Sequence, residues 1–216
     1  KLSNESISPE WKQLSASLPS YSGATYIRWG RLSCPPSSDM IYRGQMAGPD
    51  VGSNGGGSNY QCLPDDPEYS SYRVPATMSS LRNIVYIESP NINGVNLHVQ
   101  RVPCIACESQ RRVTLIMIPG KNRCPTSDWT LEYHGFIMSE YEHHPEDHGN
   151  IGVATGRGRG NYICVDEESE PLSKKPKAWG GVLHTVSALC TGDDALDGCP
   201  PYKTDFSALS CVVCSK

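Results

Sequence analysis

Pro103-Cys104-Ile105-Ala106-Cys107 and Ser210-Cys211-Val212-Val213-Cys214 are the two stretches that decide the fold of this chain. Each is a Cys-x-x-Cys with apolar spacers, and its flanking residues favour extended chain. A zinc knuckle would need two such pairs converging on one metal, and a redox motif would need its first cysteine at a helix N-terminus. Residues three apart on a strand point to opposite faces, so the two cysteines of each stretch need different partners. We therefore expect two strands held by disulfides.

Matching blocks of sequence indicate that the chain contains a duplication. The segment 26–35 matches 116–125, because in both a Gly lies four residues before a Cys-Pro pair. The segments 42–46 and 57–62 then match 133–138 and 158–164, and each copy closes with its Cys-x-x-Cys. We call 24–110 the first half and 111–216 the second half, and we expect each to form one of two tandem homologous β subdomains. Residues 1–23 form a leader with a short helix that Ser8 caps and that Trp11, Leu14 and Leu18 make amphipathic.

The ten cysteines can all be paired by a nested arrangement within each half. The nested pairs are Cys34–Cys107, Cys62–Cys104, Cys124–Cys214 and Cys164–Cys211, with Cys190–Cys199 closing a short loop. The swapped pairing within each half is the alternative, since spacing alone leaves connectivity open. Each long bridge would contribute roughly 4 kcal/mol by the loop-entropy relation.

Composition and local patterns predict an all-β, disulfide-rich protein. Hydrophobic residues make up 38% of the chain, and 20 Gly with 17 Pro indicate many turns and a modest core that needs cross-links. The runs that favour strands are Ala24–Trp29, Asn83–Glu88, Val95–Val99 and Val113–Ile118. Asn93-Gly94 between two of these runs is typical of a hairpin turn.

Cysteine number and charge also bound the setting in which the protein works. An even count of ten is typical of an oxidising, extracellular compartment, and Asn4-Glu5-Ser6 is a glycosylation acceptor. The net charge of −4 comes from interspersed acidic and basic residues, which argues against a nucleic-acid-binding surface. No apolar run approaches the roughly 18 residues that a membrane span needs, so no span is expected.

The order of these features resembles the C-terminal non-collagenous (C4) domain of type IV collagen. The second half supplies all six cysteines of that pattern, at Cys124, Cys164, Cys190, Cys199, Cys211 and Cys214, and the first half supplies four, at Cys34, Cys62, Cys104 and Cys107. The segments 26–31, 59–67 and 199–202 are similar to the short-chain collagen C4-like (spongin-type) proteins of invertebrates. The resemblance covers about 24–216.

This resemblance implies a β-rich tandem pair of subdomains, nested disulfides and a tendency to form trimers. In type IV collagen the domain directs network assembly outside the cell. The present chain has no Gly-x-y repeat, so no triple helix is available to be nucleated. The Met and Lys residues that cross-link collagen hexamers have no secure counterparts here, and that bond is not carried over.

Three stretches of the second half are candidates for ligand binding. His143, His144 and His148, with the carboxylates beside them, would bind Zn²⁺ or a copper ion, although Pro145 interrupts any helix that would align them. Asp193, Asp194 and Asp197 would supply carboxylates for Ca²⁺, without a full EF-hand pattern. Arg157 and Arg159, set among glycines, would meet an acidic glycan or a phosphate. A solvated loop or a tight turn explains each stretch more simply, and no cofactor is required.

Two functions from different classes follow from these features. The first is a secreted structural protein that self-associates, as a trimer or a multiple of it, or binds extracellular matrix components. The second is a soluble secreted binding protein, lectin-like, defensive or ligand-carrying, that uses the second-half loops. No nucleophile motif is present, and we expect no catalytic residue, so a metal-dependent enzyme built on His143–His148 is the third and weakest hypothesis. Tyr60, Tyr162, His98, His134 and His184 are expected to pack as framework residues.

Overall fold

The computed structural model describes residues 23–50, 57–71, 80–87, 95–140, 160–172, 180–188, 190, 201–202 and 207–216. These residues form ten strands and contain no helix. The first half holds β1 Thr25–Trp29, β2 Ser38–Gly48, β3 Gln61–Pro64, β4 Arg82–Tyr86 and β5 Pro103–Ser109. The second half holds β6 Leu115–Pro119, β7 Thr130–Ser139, β8 Ile163–Asp166, β9 Gly181–Thr185 and β10 Ser210–Ser215. The protein is therefore all-β over its described residues, as predicted.

One sheet runs through strands from both halves and closes on itself. Its order is β6-β10-β7-β8-β1-β5-β2-β4-β9, and β9 also pairs with β7. Strands β7, β8, β1, β5, β2, β4 and β9 thereby complete a ring. Outside this ring, β6 extends from β10, and β3 pairs with β2. The two halves consequently share their backbone hydrogen bonding.

Within each half the closing Cys-x-x-Cys strand lies between two antiparallel neighbours. Strand β5 lies between β1 and β2, and strand β10 lies between β6 and β7. Tyr26 is opposite Cys107 in the first half, as Ile116 is opposite Cys214 in the second. Each longest strand carries one extra residue at the same place, Ile41 in β2 and Glu132 in β7. These registers define which positions of the two halves are equivalent.

Four disulfides hold the closing strands. They join Cys34 to Cys107, Cys62 to Cys104, Cys124 to Cys214 and Cys164 to Cys211, which is the nested arrangement rather than the swapped one. Cys190 is also disulfide-bonded, whereas Cys199, its expected partner, lies outside the described residues. Because β5 and β10 are central strands of their halves, each bridge ties a loop or another strand of the same half to its buried middle.

A glycine is required where β2 meets β3 and again where β7 meets β8. A Cβ on Gly44 would lie 1.7 Å from the carbonyl oxygen of Leu63, and a Cβ on Gly135 would lie 1.8 Å from that of Val165. No side chain fits at such distances, so both positions need glycine for the close approach of two backbones. This explains the aromatic-x-Gly step that the two halves share.

The buried core is common to both halves. Met46, Ile84 and Tyr86 of the first half pack with Val165 and Leu183 of the second in one cluster. A second cluster joins side chains of β1 and β5 to side chains of β7, β8 and β10. Burying these side chains in a shared core makes each half a support for the other.

Some local predictions differ from the structure. Val95–Val99 is not a strand, because the chain turns there with Val99 at a φ of 55°, and the amide of Tyr86 bonds the carbonyl of Gln100 beyond the turn. His98 is exposed rather than packed. The leader helix and the Asn93-Gly94 hairpin turn lie outside the described residues.

Candidate functional site

The contact between the two halves is the most elaborate feature of the described residues, and we call it the joint. Its backbone consists of two parallel pairings, β1 with β8 at Trp29 and Val165, and β4 with β9 from Ile84 to Tyr86. Strands of one half thus continue the sheet of the other at two places. Side chains that meet across these pairings determine what the joint can do.

A buried carboxylate, Glu132, is at the centre of the joint. Its Oε2 accepts hydrogen bonds from the hydroxyl of Tyr26 at 2.7 Å and of Ser38 at 2.8 Å. Its Oε1 accepts from Nη2 of Arg112 at 3.0 Å and from the hydroxyl of Ser215. Burial raises the pKa of this carboxyl, but these four donors together outweigh burial and leave the pKa below its ordinary value. Glu132 therefore stays ionised and ties the first half to Arg112 and to the final strand β10.

A second buried pair lies beside it. Arg28 of β1 contacts Asp166 of β8 through Nε at 2.7 Å and Nη2 at 2.6 Å, both on the same carboxylate oxygen. The guanidinium also lies 5.8 Å from the ring centroid of Tyr133. The other carboxylate oxygen of Asp166 accepts from the amide of Glu168 at 2.9 Å. Both charges are therefore paired, which is the condition under which buried charges are tolerated.

Apolar and aromatic side chains fill the rest of the joint. Tyr60 is buried, and its hydroxyl would lie 2.1 Å from a Cβ on Gly160, so the glycine makes room for the ring. Burial is the largest cause that raises the pKa of Tyr60 well above its usual value. Leu183 is completely buried, and its carbonyl accepts a hydrogen bond from the amide of Ile87 at 3.2 Å. Tyr60 thus inserts from the first half and Leu183 from the second.

Glu140 lies where β9 joins β7 and β4. Its Oε1 accepts a hydrogen bond from the amide of Val182 at 3.2 Å. Burial raises the pKa of Glu140 to about 7, the Val182 amide opposes the rise, and the charge of Asp50 adds to it. The position therefore has a carboxyl that changes charge near neutral pH.

A cleft of about 580 Å³ opens at the joint above Arg28 and Glu132. Its charged groups already pair with one another: Arg31 with Glu168 at 3.5 Å and His134 with Glu167 at 3.1 Å, in addition to the pairs of Arg28 and Glu132. The cleft has no catalytic triad or metal centre, and the described residues contain no group of three or more His, Cys, Asp or Glu placed to hold a metal ion. The residues that line the cleft come from both halves, so the cleft is part of the joint.

The positions equivalent to the joint lie exposed at the opposite ends of the two halves. Ile116 is the equivalent of Tyr26, Ile41 of Glu132, Leu81 of Leu183 and Tyr162 of Tyr60, as the registers and the cysteine spacing give them. The four equivalents are 44%, 51%, 51% and 66% exposed, whereas none of the four joint residues exceeds 7%. Tyr162 is therefore not a packed framework residue, in contrast to the prediction. Each half thus has one face buried in the joint and one that is open.

We call these open surfaces the free faces. The first-half free face comprises β3 with Pro64, Ile41 and Leu81, and the second-half free face comprises β6 with Ile116, Ile118 and Tyr162. Among the described residues β6 pairs only with β10 and β3 only with β2, so each strand has an unpaired edge. An exposed edge with apolar side chains is a template for pairing with another chain.

The site residues singled out in the sequence lie largely elsewhere. Asn4, His143, His144, His148, Arg157, Arg159, Asp193, Asp194 and Asp197 are outside the described residues, and their roles stay predictions. Of the three histidines expected to pack, His134 and His184 are partly buried. The residues that build the joint, above all Glu132, Arg28 and Asp166, were not recognised, because no local motif marks them.

Two further findings bear on the identity of the chain. Among its described residues there is no helix with the length and apolar character that crossing a membrane requires. A scan against protein-family models found none that matches this chain.

Proposed function

We propose that this protein is a secreted structural protein that self-associates head to tail, the second-half free face of one copy binding the first-half free face of the next. The observation that carries the proposal is the set of four apolar residues that lie exposed where their equivalents are buried in the joint. The unpaired edges of β6 and β3 offer the backbone needed to repeat the β1–β8 pairing of the joint between chains. The resemblance to the non-collagenous domain of type IV collagen, which implies two homologous subdomains and trimers, agrees with this interpretation.

The joint is a contact between two different faces, and this explains why assembly continues beyond one chain. The first half uses β1, and the second half uses β8, which is the equivalent of β3 and not of β1. A contact between two different faces is heterologous, and it leaves one of each face unused at the ends. Repeating such a contact produces a closed ring or an open filament. A trimer, as the resemblance implies, would be a ring of six halves.

The energetics favour covering the free faces. Ile41, Leu81 and Ile116 each expose about half of an apolar side chain, so covering each of them would contribute about half of the roughly 1.5–3 kcal/mol that complete burial of such a side chain gives. The unpaired edges of β3 and β6 would gain backbone hydrogen bonds in the same contact. Association also costs translational and rotational freedom, so the apolar contribution of the whole face is needed.

An extracellular site of action fits the same structure. Four disulfides persist in an oxidising compartment and are rare in the reducing cytosol. Bridges that anchor both halves to their central strands would keep the free faces in a fixed geometry during assembly.

The native mass of the purified, non-reduced protein tests the proposal. Light scattering across a concentration series is expected to report a defined oligomer, with a trimer or a multiple of it as the expected size. Leu81→Arg places a charge on the first-half free face and is expected to shift the mass towards the monomer. Val95→Arg, at another exposed apolar position, is the matched control and should leave the mass unchanged. A wild-type protein that stays monomeric at high micromolar concentration would refute self-association.

A further inference from the structure

We infer that the two versions of this contact carry different side-chain chemistry, polar inside the chain and apolar between chains, so that each face accepts only its correct partner. The inference rests on the proposed function and names its partner, a second copy of this chain. It assigns a specificity role to Arg28, Asp166 and Glu132 on one side and to Ile118, Pro64 and Ile41 on the other.

The first exchange concerns the buried ion pair. Arg28 is replaced at the equivalent position by Ile118, since both lie two residues before the glycine that ends the strand. Asp166 lies opposite Gly135, and its equivalent opposite Gly44 is Pro64. The ion pair of Arg28 and Asp166 inside the chain therefore corresponds to an apolar contact of Ile118 and Pro64 between chains.

The second exchange concerns the buried carboxylate network. Tyr26 donates to Glu132 inside the chain, and the two equivalents are Ile116 and Ile41. Here too a polar pair is replaced on both sides at once. The replacements are matched, because at both positions each partner of a polar contact has an apolar equivalent.

Mixed contacts would be unfavourable in either direction. If β6 replaced β1 against β8, Asp166 would lose the guanidinium of Arg28 and Glu132 would lose the hydroxyl of Tyr26, so both carboxylates would stay buried with fewer donors. If β1 replaced β6 against β3, the guanidinium of Arg28 would be buried against Pro64 without a carboxylate. Specificity of this kind depends on such penalties as well as on the favourable contacts. The chemistry therefore directs β1 to its own second half and leaves β6 for another copy.

The rim of the contact retains opposite charges. Inside the chain Arg31 of the first half lies 3.5 Å from Glu168 of the second. The equivalents are Lys121 on the second-half free face and Asp66 on the first-half free face. The neighbouring pair is also kept within each half, as His134 with Glu167 at 3.1 Å and Arg43 with Asp65 at 3.5 Å. Opposite charges at the rim would orient two copies as they meet, while the apolar centre holds them together.

Transplanting the ion pair into the contact between chains tests the inference. Ile118→Arg and Pro64→Asp, made singly, are expected to weaken self-association at least tenfold, because each places one unpaired charge in an apolar contact. The double variant recreates between chains the pair that Arg28 and Asp166 form within one chain. It is expected to return association to within about threefold of the wild type. Pro64 is exposed and Ile118 is partly buried, and circular dichroism with non-reduced peptide mapping verifies that each variant keeps its fold.

The outcomes separate the inference from the proposed function. If the wild type assembles but Ile118→Arg assembles equally well, the pairing chemistry is wrong while self-association stands. If both single variants dissociate and the double variant does not recover, Ile118 and Pro64 do not face each other, and the inference is overturned. If the wild type is monomeric, both are overturned.

Discussion

The two halves of the molecule have the same framework and opposite surfaces at equivalent positions. Cysteines, glycines and strand registers repeat from one half to the other, down to the extra residue in the longest strand. At that extra residue, however, the first half has the exposed Ile41 and the second half has the buried Glu132. The comparison teaches that two halves with the same framework can differ in the side chains at equivalent positions. In one half such a position is buried in the joint, and in the other it lies on a free face.

Removal of an equivalent disulfide from each half is the strongest test of whether the two frameworks are equally stable. Cys62→Ser with Cys104→Ser opens a loop of 42 residues, and Cys164→Ser with Cys211→Ser opens one of 47. Each pair is expected to lose about 4 kcal/mol of unfolding free energy, because the unfolded chain regains loop entropy. Urea unfolding under non-reducing conditions measures both losses. If one loss of unfolding free energy were less than half of the other, the two frameworks would not be energetically equivalent.

Glu132→Ala tests the polar version of the contact in the folded chain. We expect a loss of about 3 kcal/mol, because Arg112 would remain partly buried without its carboxylate. The net pKa of Glu132 is lowered, so its contribution is present above the ordinary carboxyl pKa and disappears as the pH falls through the lower pKa of the folded state. The stability difference between wild type and variant should therefore shrink in acid.

Ile41→Ala is the matched substitution in the first half. Because Ile41 is half exposed in the single chain, unfolding free energy should change by no more than about 0.5 kcal/mol. Self-association should weaken instead. An equal loss of folding stability in both variants would contradict the division of roles between the halves.

Glu140→Gln tests, through its pH dependence, the place where β9 closes the ring. Burial raises the pKa of Glu140 to about 7 in the folded protein. Between the ordinary carboxyl pKa and pH 7 the folded protein therefore keeps this proton, whereas the unfolded chain has lost it. The wild type consequently loses stability as the pH rises from about 4.5 to 7. Glutamine keeps an acceptor for the Val182 amide without the charge and should add on the order of 2 kcal/mol at pH 8 and almost nothing at pH 4. A benefit that does not depend on pH would show that Glu140 is not the titrating group.

The parts of the fold that the sequence predicts are those with local or repeated patterns. The strands containing Thr25–Trp29 and Arg82–Tyr86, and the nested bridges among their possible alternatives, followed from β-branched runs and cysteine spacing. Val95–Val99 was predicted wrongly, because its β-branched composition suits a strand while Tyr86 bonds Val99 in the turn and Gln100 directly after it, and the chain bends there. Tyr162 was predicted wrongly because it shares a motif with Tyr60. Tyr60 packs against the other half in the joint, whereas Tyr162 lies on a free face and is exposed.

The sequence by itself determined that the chain is all-β and cross-linked, with two halves of similar pattern, because cysteines, glycines and strand periodicity act through the local backbone and recur in order. Only the tertiary structure decided which of two equivalent positions is buried. Tyr26 and Ile116 occupy the same place in their strands, yet one lies against Glu132 and the other is exposed. That difference depends on β8 lying beside β1, a contact between residues more than a hundred positions apart that no local pattern encodes.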